Sequence, residues 1–338
     1  MKLYVGMDLH STNVVTRLID ENDKLIYHKK QACELDLILN GLEPYQDSIE
    51  GIAVESTYNW YWLVDGLMEA GYRLHLVNTA AVKQYEGLKH TDDDTDAFWL
   101  AHLLRLGILP TGYIYPKQAR AVRDLLRKRR QLVQQQTGHV LSIENQYARL
   151  TGSHLGSNAT KKLTEKDIQD QFEDPNWVLA LESNRLIMNA LGEQVKVVEQ
   201  AVLSQIKLDP RYACLLSIDG IGKILALTIM LETGTLERFA KVGNYTSYCR
   251  CVGSEKLSNG KKKGKGNTKN GNKYLAWAYV EAANFAIRYN ERAKRFYQRK
   301  AAKRNRVVAL KAVAHKLARA SYYVMRDQVP FDSEKLFV

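Results

Sequence analysis

The chain has 338 residues, 45% of them hydrophobic and 25% charged, which is longer than one typical core supports and reads as globular domains plus connectors. Lysine and arginine outnumber aspartate and glutamate 49 to 37, a net charge of +12, which favours a polyanionic partner such as nucleic acid over an acidic membrane surface. No apolar run approaches the roughly 18 to 20 residues of a spanning helix, and MKLYVGMDLH runs straight into a strand pattern with no signal peptide, so a cytoplasmic protein is expected and a membrane protein is not.

In chain order, KLYVGMDLHSTNVVTRLID alternates into a strand, a turn around Ser11–Asn13 and a second strand, and DKLIYHKKQA continues the meander. CELDLILNGLEPY reads as a helix, SIEGIAVEST as a strand, YWLVDGLMEAGY as a helix and RLHLVN as a strand. Three hairpin-like strands followed by alternating helices and strands is the ribonuclease-H-like (RuvC-like) layout. From Ala119 to Leu150 the spacing is helical, with a basic cluster at Arg127, Lys128, Arg129 and Arg130; this is either a nucleic-acid contact or a solvated face. A second long amphipathic stretch, Ser183 to Ile206, follows a polar segment, and two such helices suggest a coiled-coil connector for dimerisation or for spanning a nucleic acid.

CLLSIDGIGKILALTIMLETG opens the last region. Gly220 and Gly222 fit the turn of a helix-hairpin-helix, which leaves backbone N–H groups free for a phosphate, although such turns also occur without a ligand. KLSNGKKKGKGNTKNGNK has no acidic residue and cannot bury a core, so it is expected to be flexible alone and to order against phosphates. Its candidate DNA-binding side chains are Lys261, Lys262, Lys263, Lys265, Lys269 and Lys273; Ser258 lies beside Asn259-Gly260. Two basic helices with interleaved aromatics end the chain. Of the four cysteines, Cys249 and Cys251 lack a second pair at zinc-finger spacing.

Asp92, Asp93, Asp94 and Asp96 place four carboxylates within five positions at a helix start. Asp92 or Thr91 as helix cap, with acids favoured in the first turn, is the plain explanation. Two further acids change the balance: Asp8 lies in an apolar strand and Glu55 ends another, so on a ribonuclease-H-like sheet both fall at one edge, where Asp93 and Asp96 share a helix face. Hard oxygen donors in such a group suit Mg2+, which keeps waters and accepts a substrate phosphate.

With Asp8, Glu55 and Asp93-x-x-Asp96-Ala97, then the Gly-Ile-Gly hairpin, then Ser258-Asn259-Gly260 and its basic tail, the chain resembles the DEDD transposases of insertion sequences, the bridge-RNA-guided serine recombinases. GLKHTDDDTDAFWLAHLLRLGILP is similar to the subgroup with subterminal inverted repeats (family one-ten, subgroup eleven-eleven). The resemblance implies a RuvC-like domain over 1–115, a helical coiled-coil connector over 116–206 and a mainly helical transposase domain over 207–338. It puts the family's metal-binding acids on Asp8, Glu55, Asp93 and Asp96 and its nucleophile on Ser258. Where the family has Lys-Thr-Asp, this chain has His90-Thr91-Asp92-Asp93-Asp94, and the following Asp96-Ala97 fixes the frame on Asp93. Ser254 is the neighbouring competitor, but Ser258 directly precedes the basic run.

The implied chemistry is attack of Ser258 on a phosphodiester, giving a covalent link to DNA that conserves bond energy for religation. The implied cofactor is Mg2+, the implied partners are donor and target DNA, a noncoding bridge RNA and further copies of the chain as a dimer or a dimer of dimers, and the implied setting is a bacterial cytoplasm. Two other classes fit the residues: a RuvC-like metal-dependent endonuclease of junction-resolvase type that uses water, and a non-catalytic nucleic-acid-binding protein.

Overall fold

A computed structural model describes residues 1–79, 81–82, 92–205, 209–253, 255–265, 270–332 and 336–337. The chain forms two compact units, Met1–Lys117 and Gln118–Val338.

The first unit is built on strands β1 (Leu3–Leu9), β2 (Asn13–Ile19), β3 (Leu25–Ala32), β4 (Ile49–Glu55) and β5 (Leu74–Val77), with helices α1 (Leu35–Leu42), α2 (Tyr61–Glu69) and α3 (Asp93–Arg105). The sheet order is β3-β2-β1-β4-β5. The first three strands pair antiparallel, and β1–β4 and β4–β5 pair parallel. This mixed sheet is consistent with the ribonuclease-H-like layout expected from the strand order.

Alternation along each strand decides what its two faces meet. Leu3, Val5, Met7 and Leu9 of β1 pack with Ile38 and Leu42 of α1 and with Leu63, Val64 and Leu67 of α2. The opposite face belongs to α3, where Ala53, Val77 and Leu100 form a smaller apolar cluster. Gly6 makes that approach possible: a Cβ there would stand 1.9 Å from the Ala97 carbonyl oxygen and 2.7 Å from the Ala101 nitrogen. Asp8, two residues on, shares Gly6's face and therefore looks toward the start of α3.

In the second unit, α4 (Lys117–Thr151) is followed by the short α5 (Ser157–Thr160) and α6 (Glu165–Gln171) and by α7 (Pro175–Gln205). Arg129 meets Glu199, Gln136 meets the Met188 carbonyl and His139 meets Asn184, so α4 and α7 run antiparallel. The buried positions of α7, Leu181, Met188, Val195 and Val202, recur every seven residues, the spacing of a seam between two helices. α7 starts at Pro175 rather than at Ser183 as the periodicity suggests, because proline is pre-organised for a first helical position and Asp174 accepts the Asn176 N–H.

Then come α8 (Pro210–Leu216), α9 (Lys223–Thr233), α10 (Val242–Tyr248), the hairpin β6 (Glu255–Ser258) and β7 (Lys261–Lys265), α11 (Lys273–Tyr289), α12 (Glu291–Lys303) and α13 (Arg306–Asp327). α9 is buried from Leu225 to Thr233 and forms the centre of a core completed by α8, α10, α11 and α13. Within the basic run, which is expected to be flexible alone, Glu255–Ser258 and Lys261–Lys265 pair as a hairpin. Asn259 and Gly260 have φ of 51° and 70°, the left-handed pair of a type I′ turn, for which Asn-Gly is the favoured dipeptide. Among the described residues no helix is long and apolar enough to cross a membrane.

Candidate active site

Strand register brings the first two acids together. Met7 pairs with Val54 across the parallel β1–β4 ladder, so Asp8 and Glu55 each lie one residue beyond that pair, on the α3 side. Asp8 is only 4% exposed, and the two carboxyls share a hydrogen bond. Burial first, then Asp8 and the charge of Asp96, push the Glu55 carboxyl up to about 7. Asp93 and Asp96 occupy the first turn of α3. The structure therefore gathers Asp8, Glu55, Asp93 and Asp96 at the carboxyl ends of β1 and β4.

The crowd of aspartates at the start of α3 is tolerated because each has its own task. Asp92 caps the helix, its Oδ1 accepting the Thr95 N–H at 2.8 Å and the Thr95 hydroxyl at 2.6 Å, which holds its carboxyl below the usual range. Asp93 accepts from Lys30 Nζ at 3.0 Å, and this bond lowers its pKa. Asp94 is gripped by the Arg17 guanidinium and by His28, and the Arg17 hydrogen bond lowers its pKa too. Arg17 and His28 are cross-strand partners on β2 and β3, so a basic ladder on the sheet receives the acidic turn. At its other end α3 is fastened by His102 and Arg105 to Asp23, at 2.9 Å and 2.7 Å.

One residue of this group carries no signal in the sequence reading: His10, just beyond β1. Its Nε2 lies 3.1 Å from Asp8 Oδ2 and 3.3 Å from Asp93 Oδ1. Asp8, His10 and Asp93 thus offer three donor atoms within 4.8 Å of one another. The short spacing Asp-x-His at a strand end was the available clue.

Ser258 is exposed at the end of β6 and pairs directly with Lys261 of β7 across the turn. β7 also carries Lys262, Lys263 and Lys265; Lys261 and Lys263 are exposed. Ser254 and Lys269 lie outside the described residues. Lys273 opens α11 with its Nζ 5.2 Å from the Tyr274 ring centre. The ends of this segment are tied together: Asn272 N donates to the Tyr248 carbonyl at 2.6 Å, and the Arg250 guanidinium reaches the Gly271 carbonyl at 2.7 Å.

Gly220 and Gly222 have different surroundings. A Cβ on Gly220, whose φ is +92°, would stand 2.4 Å from the Ala282 carbonyl oxygen, so this glycine admits the backbone of α11. A Cβ on Gly222, at the start of α9, would meet nothing within 4 Å. The basic cluster of α4 is divided in the same way. Arg127 binds Glu232 through Nε at 2.6 Å and stacks over Tyr274, and Arg129 binds Glu199. Arg130 lies over Trp277 and Tyr274, and of the four only Lys128 is exposed. Cys249 and Cys251 are free thiols, and burial pushes Cys251 up to about 12.

Residues 5–149 match the family model DEDD_Tnp_IS110, described as Transposase, and residues 212–298 match the model of the Transposase IS116/IS110/IS902 family. The chain belongs to the IS110 family of transposases. It is also 25% identical over 236 residues to "Putative transposase y4qE" of Sinorhizobium fredii (strain NBRC 101917 / NGR234), a match covering 70% of this chain and 57% of that relative. The chain thus spans a little over half the length of that curated relative.

A DEDD transposase domain implies a divalent metal, and the donor set here fits one. Asp8, His10 and Asp93 converge, and burial together with Asp8 and Asp96 raises the Glu55 carboxyl beside them.

Proposed function

We propose that this IS110-family chain is a DNA transposase that cuts and rejoins strands through a covalent serine intermediate, with Ser258 as nucleophile and Asp8, Glu55, Asp93 and Asp96 holding the divalent metal. The observation that carries this reading is the convergence of four acids at one sheet edge in a chain whose two halves both match transposase models. Mg2+ is the proposed ion on the strength of the oxygen donors.

Ser258 Oγ attacks the phosphorus, the bond to one deoxyribose oxygen breaks, and that oxygen leaves as a hydroxyl. One phosphodiester is exchanged for another, so the step reverses onto a second DNA end without ATP. Lys261, opposite Ser258, and the other lysines of β7 offset the phosphate charge and hold the backbone near the hydroxyl. A bound divalent cation would supply Lewis-acid polarisation of the phosphoryl oxygens. Asp8 and Glu55 hold the site from rigid strands, and the clamped α3 sets the position of Asp93 and Asp96. An element-encoded RNA that selects donor and target DNA, and assembly as a dimer of dimers, belong to the same proposal and rest on the family resemblance.

The test is a recombination assay with purified protein, Mg2+, flanking RNA and a donor–target DNA pair, followed on denaturing gels. Wild type is expected to give a protein–DNA adduct and joined product, and Ser258→Ala neither. Cutting by Ser258→Ala with no adduct at any time would make the protein a metal-dependent nuclease that uses water.

A further inference from the structure

We propose that the His10 imidazole is a direct ligand of the cation bound by Asp8 and Asp93, and that this nitrogen donor raises the affinity of the site for first-row transition cations such as Mn2+ relative to Mg2+. The inference rests on the reading that these carboxylates hold a metal, and it adds a ligand and a selectivity.

The starting point is a ring nitrogen that two carboxylates share. His10 Nε2 is shielded from solvent, with Asp8 Oδ2 at 3.1 Å and Asp93 Oδ1 at 3.3 Å. Two carboxylates brought onto one site repel each other unless positive charge lies among them.

A cation there answers the geometry. Octahedral ligands at about 2.0–2.1 Å from an ion lie about 3 Å from their neighbours around the shell. The separations of His10 Nε2 from Asp8 Oδ2 and Asp93 Oδ1 match such edges, and all three donor atoms lie within 4.8 Å.

The surroundings hold the donors in place. Lys30 takes Asp93 Oδ2, leaving Oδ1 turned toward His10. The His10 backbone is fixed by three contacts: its N–H donates to the Asn13 carbonyl at 2.9 Å, and its carbonyl accepts from Asn59 Nδ2 at 2.9 Å and from the Cys33 thiol. These bonds fix the main chain from which the imidazole projects.

Selectivity follows from donor type. Mg2+ prefers oxygen and retains its waters, whereas imidazole suits the first-row transition ions. A site that adds one imidazole to its carboxylates is therefore better matched to Mn2+ than an all-carboxylate site would be.

The experiment uses the full chain without DNA. Mn2+ and Mg2+ affinities are measured by calorimetry, and bound Mn2+ is examined by pulsed EPR for coupling to a nitrogen nucleus. Wild type is expected to bind Mn2+ about tenfold or more tighter than Mg2+ and to show nitrogen coupling. His10→Ala is expected to lose the coupling and about 10- to 100-fold in Mn2+ affinity, with Mg2+ affinity altered far less. Absence of nitrogen coupling in wild type, or an unchanged Mn2+/Mg2+ ratio in His10→Ala, overturns the assignment. The wild-type spectrum decides the point even if the variant fails to fold. Asp8→Asn separates the two levels: if it binds both ions as well as wild type, the carboxylate metal site itself is wrong. If it loses Mn2+ that never showed nitrogen coupling, only the role of His10 falls.

Discussion

Two runs of like charge, the acids of Asp92–Asp96 and the bases of Arg127–Arg130, look equivalent in the sequence and end in opposite situations. The basic run is largely consumed inside its own unit: Arg127 by the buried Glu232, Arg129 by Glu199, Arg130 by aromatic faces. The acidic run is divided among a helix cap, a basic ladder and a group still crowded with carboxylates, where Glu55 is pushed up to about 7. A charge run points to a ligand where further groups of the same sign join it, as Asp8 and Glu55 join the start of α3.

The largest effect that would break this contrast is on stability. Arg127→Ala leaves Glu232, whose side chain is 2% exposed, buried without its main counter-charge. A loss of about 3–5 kcal/mol is expected, read by urea denaturation, with Lys128→Ala, at an exposed neighbour, within about 0.5 kcal/mol of wild type. Equal small effects would mean that Arg127 is as free as Lys128.

Gly6→Ala tests the other side. Its methyl group would collide with the Ala97 carbonyl, and overpacking of this kind costs about 1–3 kcal/mol. Because α3 carries Asp93 and Asp96, metal affinity is expected to fall along with melting temperature. A destabilised variant with unchanged metal binding would show that α3 does not set the site.

Glu55 gives a pH signature. Its folded pKa of about 7 lies above the ordinary value of 4.5, so its contribution to the stability of the metal-free protein is favourable below about 4.5 and is lost as pH rises through about 7. Glu55→Gln is expected to flatten the melting-temperature profile over that interval. A saturating divalent cation is expected to flatten it as well, by favouring the ionised carboxylate. A profile identical in wild type and variant would remove Glu55 from the group.

The smallest effect belongs to the cap. Asp92→Ala is expected to cost about 1 kcal/mol and to leave metal affinity nearly unchanged, since the Asp92 carboxylate is engaged by Thr95 as the helix cap. A large loss of metal binding would instead place Asp92 among the ligands.

The sheet was legible because alternation is a local signal: the strands around Asp8 and Glu55 show their apolar faces within a few residues. His10 was not, because its partners are a strand neighbour and an aspartate 83 positions away, a proximity that only the folded register creates. The internal partners of the Arg127–Arg130 cluster were not legible either, because consecutive helical residues point about 100° apart and the carboxylates they meet lie 70 and 105 residues distant. The hairpin carrying Ser258 was hidden by composition: seven lysines drew attention away from Asn259-Gly260, the dipeptide that turns the chain.

The ties of Asn272 to Tyr248 and of Arg250 to Gly271 have a consequence for how this protein can vary. The chain leaves and re-enters the helical core at a single point, so the closure of the segment between is set by the core and not by the segment. Doubling the length of a closed loop adds only about 0.6 kcal/mol. The stretch bearing Ser258 is therefore a cassette: residues inserted at the Asn259-Gly260 turn, or a charge pattern exchanged on β7, change what the loop presents while the helices beneath fold as before.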